Sequence, residues 1–421
     1  MDNDKLRHDM MQLWKETFND SEEYIRLVFD AYFNPEYVEY ELDSKGDVCA
    51  SLLGVPYCFG LHNNQIKGVY LCGLATKSEK RGCGIMTNLI NRMSERMRKL
   101  GYAFLFLIPA DEGLQKLYSD RNFVAAFYRR TDNYTAFHDF TTEYFKSLRQ
   151  EDDQIKELRI RQYEALRVFC CERHYFELFE GAETLADLID FISKSENHVS
   201  IEMPMIQTRD QIEIFLREAL ISKGRIYYVR NEYGDISGVA LTVSEEEAVV
   251  VLKLFVDDIP SRYKLLSTIK ESVENKSLTV YNDDMTKDDR AVRQLAYEGV
   301  NPEDDMVEEV DYVDCPYSGL ENEKIYGMLR ILSVSEILKF VTKVSSNFKY
   351  SILTHQENLD TICKYKAEGG RLHMEEIGEG VPVLSDKEIA QLLFRKPSTD
   401  SIIEDALGLP VIRTSMFLML D

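Results

Sequence analysis

Residues that could do chemistry are concentrated in one stretch of the chain. Leu71-Cys72-Gly73-Leu74-Ala75-Thr76-Lys77-Ser78-Glu79-Lys80-Arg81-Gly82-Cys83-Gly84-Ile85-Met86 hands a strand over to a helix through an R-G-x-G loop. Glycines at 82 and 84 let the backbone come close to a ligand, and the following helix offers unpaired N–H groups to an anion. Lys77, Lys80 and Arg81 against Glu79 make the loop locally positive within an acidic chain, so a pyrophosphate fits there. A plain tight turn uses the same glycine pair. Other chemistries find less support. The eight cysteines contain no C-x-x-C pair and the seven histidines form no cluster, so no metal site and no histidine-based triad is expected. Cys72 and Cys83 lie beside the loop, but nothing near them supplies a base, and both read as small packing residues.

Positioning such a loop takes a strand, a helix and a return strand. Ile85, Met86, Leu89, Ile90, Met93, Met97 and Leu100 mark one helix face that ends at Gly101 in the C′ position. Residues 102–108 then form an unbroken apolar run, suited to a strand covered on both faces. Upstream, two short helices are expected over 8–33, with Ser21 capping the second, followed by an antiparallel meander of 38–42, 48–61 and 66–76. Residues 151–300 repeat this order of elements but carry Asp257-Asp258-Ile259-Pro260-Ser261 where the glycine loop would be, so a cofactor site there is expected to be lost. Glu303 to Asp311 reads as a solvated acidic connector. The last hundred residues predict a strand at 328–332, a helix from Val334, a strand at 350–354, a turn at Gly369-Gly370, a helix over 386–394 and an apolar strand over 411–420, docked rather than loose.

After the return strand comes Ala110-Asp111-Glu112-Gly113-Leu114-Gln115-Lys116-Leu117-Tyr118-Ser119-Asp120-Arg121-Asn122-Phe123. Strand, R-G-x-G, helix, strand and L-Y-x-x-x-x-F together resemble the GNAT superfamily of acyl-CoA-dependent N-acetyltransferases. Glu79 stands where that pattern usually has Gln or Arg, and Asn122 where it has Gly. The whole chain is similar to the enhanced intracellular survival (Eis) family, best known for acetylating aminoglycosides at several amines. The resemblance implies an α/β (α+β) fold with two tandem GNAT-like mixed-sheet domains and a sterol-carrier-protein-like α+β domain. The implied boundaries are 1–150 for the catalytic domain, 151–315 for a degenerate second copy and 316–421 for the last domain, whose C-terminus returns to the active site. It implies acetyl-CoA as cosubstrate, lined by Cys72, Gly73, Leu74, Lys80, Arg81, Gly82, Cys83, Gly84, Ile85, Gly113 and Leu114. It further implies Tyr118 as proton donor, the terminal carboxylate of Asp421 as acceptor, and a homo-hexamer.

Charge bears on the partner. With 50 Lys and Arg against 73 Asp and Glu, the net charge of −23 repels phosphate backbones and anionic lipid, so neither nucleic acid nor membrane is an expected partner. It attracts a cationic amine, although a solvated acidic surface that aids solubility explains the same number. No leader or spanning segment is readable, and the compartment expected is the cytoplasm. The function expected is acetyl transfer to an amine of an aminoglycoside- or polyamine-like molecule by direct attack on the thioester. An alkylamine of pKa near 10.4 is neutral only about once in a few thousand molecules at pH 7, so a base helps. Main-chain N–H groups near Leu74 could hold the carbonyl oxygen as it becomes anionic. Two other readings remain: a non-enzymatic binding protein with a vestigial CoA loop and an apolar ligand in the C-terminal domain, and acetylation of protein lysines or N-termini.

Overall fold

Apolar alternation builds the strands around the loop, and the helices cover both of their faces. In the computed structural model the described residues are 2–61, 64–177, 179–195, 203–273, 275–282, 323–344, 351–355, 362–368, 371–377, 383–394, 412 and 414–415. The acidic stretch 303–311 and Asp421 lie outside them. The chain opens with helices α1 (Asn3–Phe18) and α2 (Glu22–Tyr32), and Ser21 accepts the Tyr24 N–H at 3.2 Å as the expected cap. Strands β1 (Val38–Leu42), β2 (Val48–Leu61) and β3 (Asn64–Thr76) form the antiparallel meander. Helix α3 (Ile85–Lys99) follows and ends ahead of Gly101, which takes φ +81°. Strand β4 (Phe104–Leu107) lies parallel to β3 and is fully buried along its length. Helix α4 (Glu112–Ser119) then leads into β5 (Val124–Tyr134).

The two faces of this sheet have separate cores. On one face α3 and α4 pack Leu89, Ile90, Met93, Met97, Tyr118 and Phe123 over Leu52, Leu71 and Leu105. On the other, α1 and α2 bury Leu13, Trp14, Ile25 and Phe29 over Tyr57, Tyr70, Cys72 and Phe106. Successive residues of β3 therefore look to opposite sides, as a pleated strand requires.

The second region supplies α5 (Phe140–Ser147), α6 (Asp153–Ala165), β6 (Arg167–Cys171), α7 (Phe179–Ser195), β7 (Met203–Ile206) and α8 (Arg209–Ile221). Strands β8 (Arg225–Arg230), β9 (Ile236–Ser244) and β10 (Ala248–Val256), helix α9 (Ile259–Glu271) and β11 (Ser277–Asn282) complete it. The sequence reading missed β6, β7 and β11, which are only five, four and six residues long. The last region gives β12 (Glu323–Ile331), α10 (Val334–Val344), the three strands β13 (Ser351–His355), β14 (Ile362–Glu368) and β15 (Arg371–Ile377), α11 (Asp386–Leu393) and β16 (Thr414–Ser415).

One 13-stranded mixed sheet runs through most of this, in the order β12-β4-β3-β2-β7-β16-β5-β11-β10-β9-β8-β6, with β1 on β2. Strand β12 is antiparallel to both β4 and β5 and fills the space between them. Because β12 also pairs with β5, the strands from β12 round to β5 close on themselves. The small sheet β13-β14-β15 stands apart. Helices α8, α10 and α11 all bury residues in the core beneath α1 and α2, so the three regions share one apolar interior. No helix among the described residues is long and apolar enough to cross a membrane.

Candidate active site

The loop between β3 and α3 has the geometry of an anion cradle. Gly82 and Gly84 take φ +76° and +75°, a region costly for L side chains, and a Cβ at either would meet nothing within 4 Å. Glycine is thus required there by backbone conformation, and the space in front of it is open. Gly84 is the N-cap of α3, which lacks a side-chain cap and has no acidic residue in its first turn. Helices normally satisfy those first N–H groups with a Ser, Thr, Asp or Asn side chain. Here they stay available for an anion.

The charged residues of the loop are arranged accordingly. Ser78 Oγ donates to Glu79 Oε2 at 3.2 Å, folding the one acidic side chain back on its own turn. Arg81 Nε donates to the Thr76 carbonyl at 3.1 Å, holding the two ends of the turn together. Lys77 pairs with Asp43 at 3.7 Å. Lys80, Ile85 and Asn88 border a surface depression of about 240 Å³ shared with Glu41, Asp43 and Cys49.

Strand β3 bends as it reaches the loop. Its pairing with β4 covers only Gly68 to Tyr70 against Phe104 to Phe106, while β3 itself continues to Thr76. The pairing with β2 slips between Ser51 and Leu53, opposite Ala75 and Cys72. Gly73 sits in that bulge at φ +57°, and a Cβ there would lie 2.2 Å from the Trp14 ring. Beyond Tyr70 the β4-facing edge of β3 has no strand partner among the described residues, which leaves a wedge between the two strands.

Tyr118 packs in the core that α3 and α4 cover, the same cluster that holds Leu71 and Leu107. It is 7% exposed and packs edge-on against Phe123, ring centroids 5.8 Å apart. Burial pushes its hydroxyl up to about 12, with Arg121 pulling the other way, so it holds its proton at neutral pH. Asn122 takes φ +65°, the left-handed conformation that asparagine tolerates better than most residues, and so fills the glycine position of the sequence pattern. Asp111 caps α4 by accepting the Leu114 N–H at 2.7 Å, and Gly113 lies in the first turn under that cap. The N–H of Leu114 is therefore committed, and these two residues shape the helix start.

Cys72 is buried with its Sγ 3.7 Å from the Leu53 carbonyl, and burial first, then the charge of Glu218, drives its thiol far up. A thiol so held is a poor nucleophile. Cys83 is exposed beside the Arg81 carbonyl. Among the described residues no group of three or more His, Cys, Asp and Glu could hold a metal ion.

Sequence reasoning missed a polar cluster on the opposite face of the sheet. Glu218, on α8 and only 6% exposed, hydrogen-bonds the Tyr24 hydroxyl. Tyr32 bonds Tyr57 beside it, and Cys72 and Tyr70 complete the surroundings. The available signal was a carboxylate among Ile212, Phe215, Leu216 and Ala219, the apolar residues of a buried helix.

Residues 3–130 match the family model of the acetyltransferase (GNAT) domain. The chain carries a GNAT domain, and with it an acetyltransferase enzyme. Its match ends at Arg130 inside β5, so β12, which completes that domain's sheet, comes from outside the matched span. No curated protein is similar to the chain in sequence. Solved structures are similar over the full length. A probable N-acyltransferase of Enterococcus faecalis V583 superposes with a TM-score of 0.63 at 12% identity, covering 99% of this chain and 98% of that one. A GCN5-related N-acetyltransferase from Kribbella flavida gives 0.61 at 12% identity, covering 98% and 96%. Eis1 from Mycobacterium abscessus gives 0.59 at 9% identity, also covering 98% and 96%. At such identities the likeness is one of fold, and it extends over all three regions around the GNAT domain.

Proposed function

We propose that the protein is an acetyl-CoA-dependent N-acetyltransferase of cationic small-molecule amines, aminoglycoside- or polyamine-like. The observation that carries this reading is the uncapped N-terminus of α3 behind Gly82 and Gly84, which follows the stretch of β3 that runs on past its pairing with β4. Lys80 to Ile85 would hold the diphosphate, and Cys72 to Leu74, on the free edge of β3, the chain that leads to the thioester. Acetyl-CoA supplies the acetyl group already activated as a thioester. Main-chain N–H groups near Leu74 stabilise negative charge on the carbonyl oxygen, Tyr118 gives its proton to the sulfur that leaves, and the terminal carboxylate of Asp421 accepts the proton of the amine.

The proposal extends to the organisation of the chain: a catalytic domain over 1–150, a degenerate GNAT-like copy over 151–315 and a sterol-carrier-protein-like domain over 316–421, in a cytoplasmic homo-hexamer. Docking of Thr414 and Ser415 beside β5 supports the return of the tail. Six residues follow Ser415, and at roughly 3.5 Å per extended residue they span up to about 20 Å. The test is incubation with acetyl-CoA, a thiol reagent and a panel of aminoglycosides and polyamines, beside thermal melts with CoA. Thiol release with at least one acceptor and a raised Tm are expected. No release with any of them and no stabilisation would sink the proposal, and a co-purifying lipid without CoA would favour a binding protein instead.

A further inference from the structure

The far end of β3 owes its shape to a residue that is not on the strand. Val69 and Leu71 look to the core under α3 and α4, and Tyr70 and Cys72 to the core under α1 and α2. Regular alternation would send Leu74 to the second core and Ala75 to the first. The structure has the reverse: Leu74 packs under α3 and α4, and Ala75 under α1 and α2. The phase is lost at Gly73. Ser51 pairs with Ala75 and Leu53 with Cys72, so Leu52 alone stands opposite both Gly73 and Leu74. Such a bulge leaves one residue outside the ladder and re-aims the backbone beside it.

Trp14, on α1, fills the space that a side chain at position 73 would need. A Cβ on Gly73 would lie 2.2 Å from the ring carbon Cζ3 and 2.5 Å from Cε3, so the indole rests against the Gly73 backbone itself. The ring has little freedom to move away. Trp14 is 6% exposed and meets Phe18 and Phe29 edge-on, with centroids 5.5 and 5.7 Å apart. Its Nε1 donates to Asp20 Oδ2 at 2.7 Å. Asp20 follows Asn19, whose left-handed φ of +60° ends α1, so the turn between the two helices holds the indole by its polar edge.

We propose that Trp14 is a positioning residue for acetyl transfer: it props the Gly73 bulge so that the main-chain N–H groups near Leu74 meet the thioester carbonyl, and Asp20 fixes the ring that does so. This rests on the acetyltransferase reading and adds the part of the fold that sets those donors. A donor aimed at a developing oxyanion acts only from the right place, and a displacement of about 1 Å can cost about 10²-fold in rate. The diphosphate is gripped elsewhere, by the loop before α3. Disturbing the indole therefore separates kcat from the KM for acetyl-CoA, which a general loss of packing does not.

The experiment follows CoA release with whichever aminoglycoside or polyamine of the panel is acetylated. Asp20→Ala is expected to lower kcat about fivefold with the KM for acetyl-CoA unchanged. Asp20→Asn keeps an acceptor for the indole N–H and is expected to restore most of that loss. Trp14→Leu is expected to lose about tenfold or more in kcat. Wild-type kcat in Asp20→Ala, or a KM that rises as kcat falls, overturns the inference. Should the variants not fold, the wild type decides alone, because Trp14 is the one tryptophan in 421 residues and its emission reports the bulge. Without acceptor, acetyl-CoA is expected to change that emission more than CoA, which has the same diphosphate and no carbonyl. Equal changes, or none with either, overturn the inference. A change specific to acetyl-CoA while no amine is acetylated retains the propped bulge and rejects the proposed acceptors.

Discussion

Arg121 donates from Nε to Thr87 Oγ1 at 2.8 Å, tying the turn just after Tyr118 to the first turn of α3. A second donation from its Nη1 reaches the Leu117 carbonyl at 2.5 Å, so one guanidinium fixes the end of α4 against the helix that opens on the glycine loop. From the far side, Lys387 Nζ donates to the Ser119 carbonyl at 2.6 Å, which brings the last region of the chain to bear on the same turn. Tyr118 and the glycine loop are therefore set relative to each other by side chains that need touch no substrate.

Tyr118→Phe keeps the packing against Phe123 and removes only the hydroxyl. Turnover is expected to fall by about 10²-fold, the usual worth of a positioned acid. The Tm rise produced by CoA is expected to stay the same. Steady-state thiol release and thermal melts measure the two, and unchanged turnover removes Tyr118 from the mechanism.

The same residue governs an alkaline limit. Its folded pKa of about 12 lies above the ordinary tyrosine value of 10.0, because burial disfavours the phenolate. The folded state therefore holds the proton more tightly than the unfolded one, and this contribution to stability is complete below pH 10 and is lost as pH rises from 10 towards 12. Urea midpoints measured over that range should fall more steeply for the wild type than for Tyr118→Phe.

Two glycines of the site should separate fold from binding. Gly73→Ala puts a methyl 2.2 Å from the Trp14 ring at a positive φ, and a loss of about 3 kcal/mol or more is expected. Gly84→Ala meets open space and carries only the backbone strain, about 1 kcal/mol, yet it alters the cradle itself. Denaturant unfolding should rank Gly73→Ala as the more damaged protein. CoA titration should show Gly84→Ala losing affinity by more than its loss of stability explains.

Lys387→Met removes the donor at Ser119 and retains the aliphatic stem. A cost of about 1 kcal/mol and a several-fold fall in kcat are expected, with the KM for acetyl-CoA unmoved. A kcat equal to wild type would show that the last region does not position Tyr118.

If the tail supplies the base, moving its carboxylate matters more than losing a side chain. Adding two glycines after Asp421 is expected to reduce kcat by 10²-fold or so while CoA binding stays intact, and Asp421→Asn with an unextended terminus should reduce it far less. Equal activity of the extended chain would reassign the base.

Much of this was legible in the sequence where local rules decide. Strand β1 (Val38–Leu42), the Ser21 cap, the stop at Gly101 and the β3–α3–β4 crossover all follow from periodicity and turn chemistry acting over a few residues. The glycine loop was legible because positive φ leaves a mark on residue choice. What stayed hidden was non-local. Nothing in residues 323–331 announces that their partners are Phe104 to Leu107 and Val124 to Arg130, since an apolar strand pairs with whatever edge the rest of the chain leaves open. Glu218 was hidden for the same reason: its meaning depends on Tyr24, nearly two hundred residues earlier, and a helix pattern records only that one side chain is out of place.

The placement of β12 has a consequence for how the molecule comes into being. A ribosome delivers residues 1–134 with the gap between β4 and β5 still open, and the strand that closes it emerges only after the second region has been synthesised. Until then two strand edges lack their partner, and unpaired edges of that kind are the sites where incomplete chains aggregate. A gene fragment cut at the end of the family match would express a permanently unfinished sheet, so the unit of inheritance for this activity is the long chain rather than its first third.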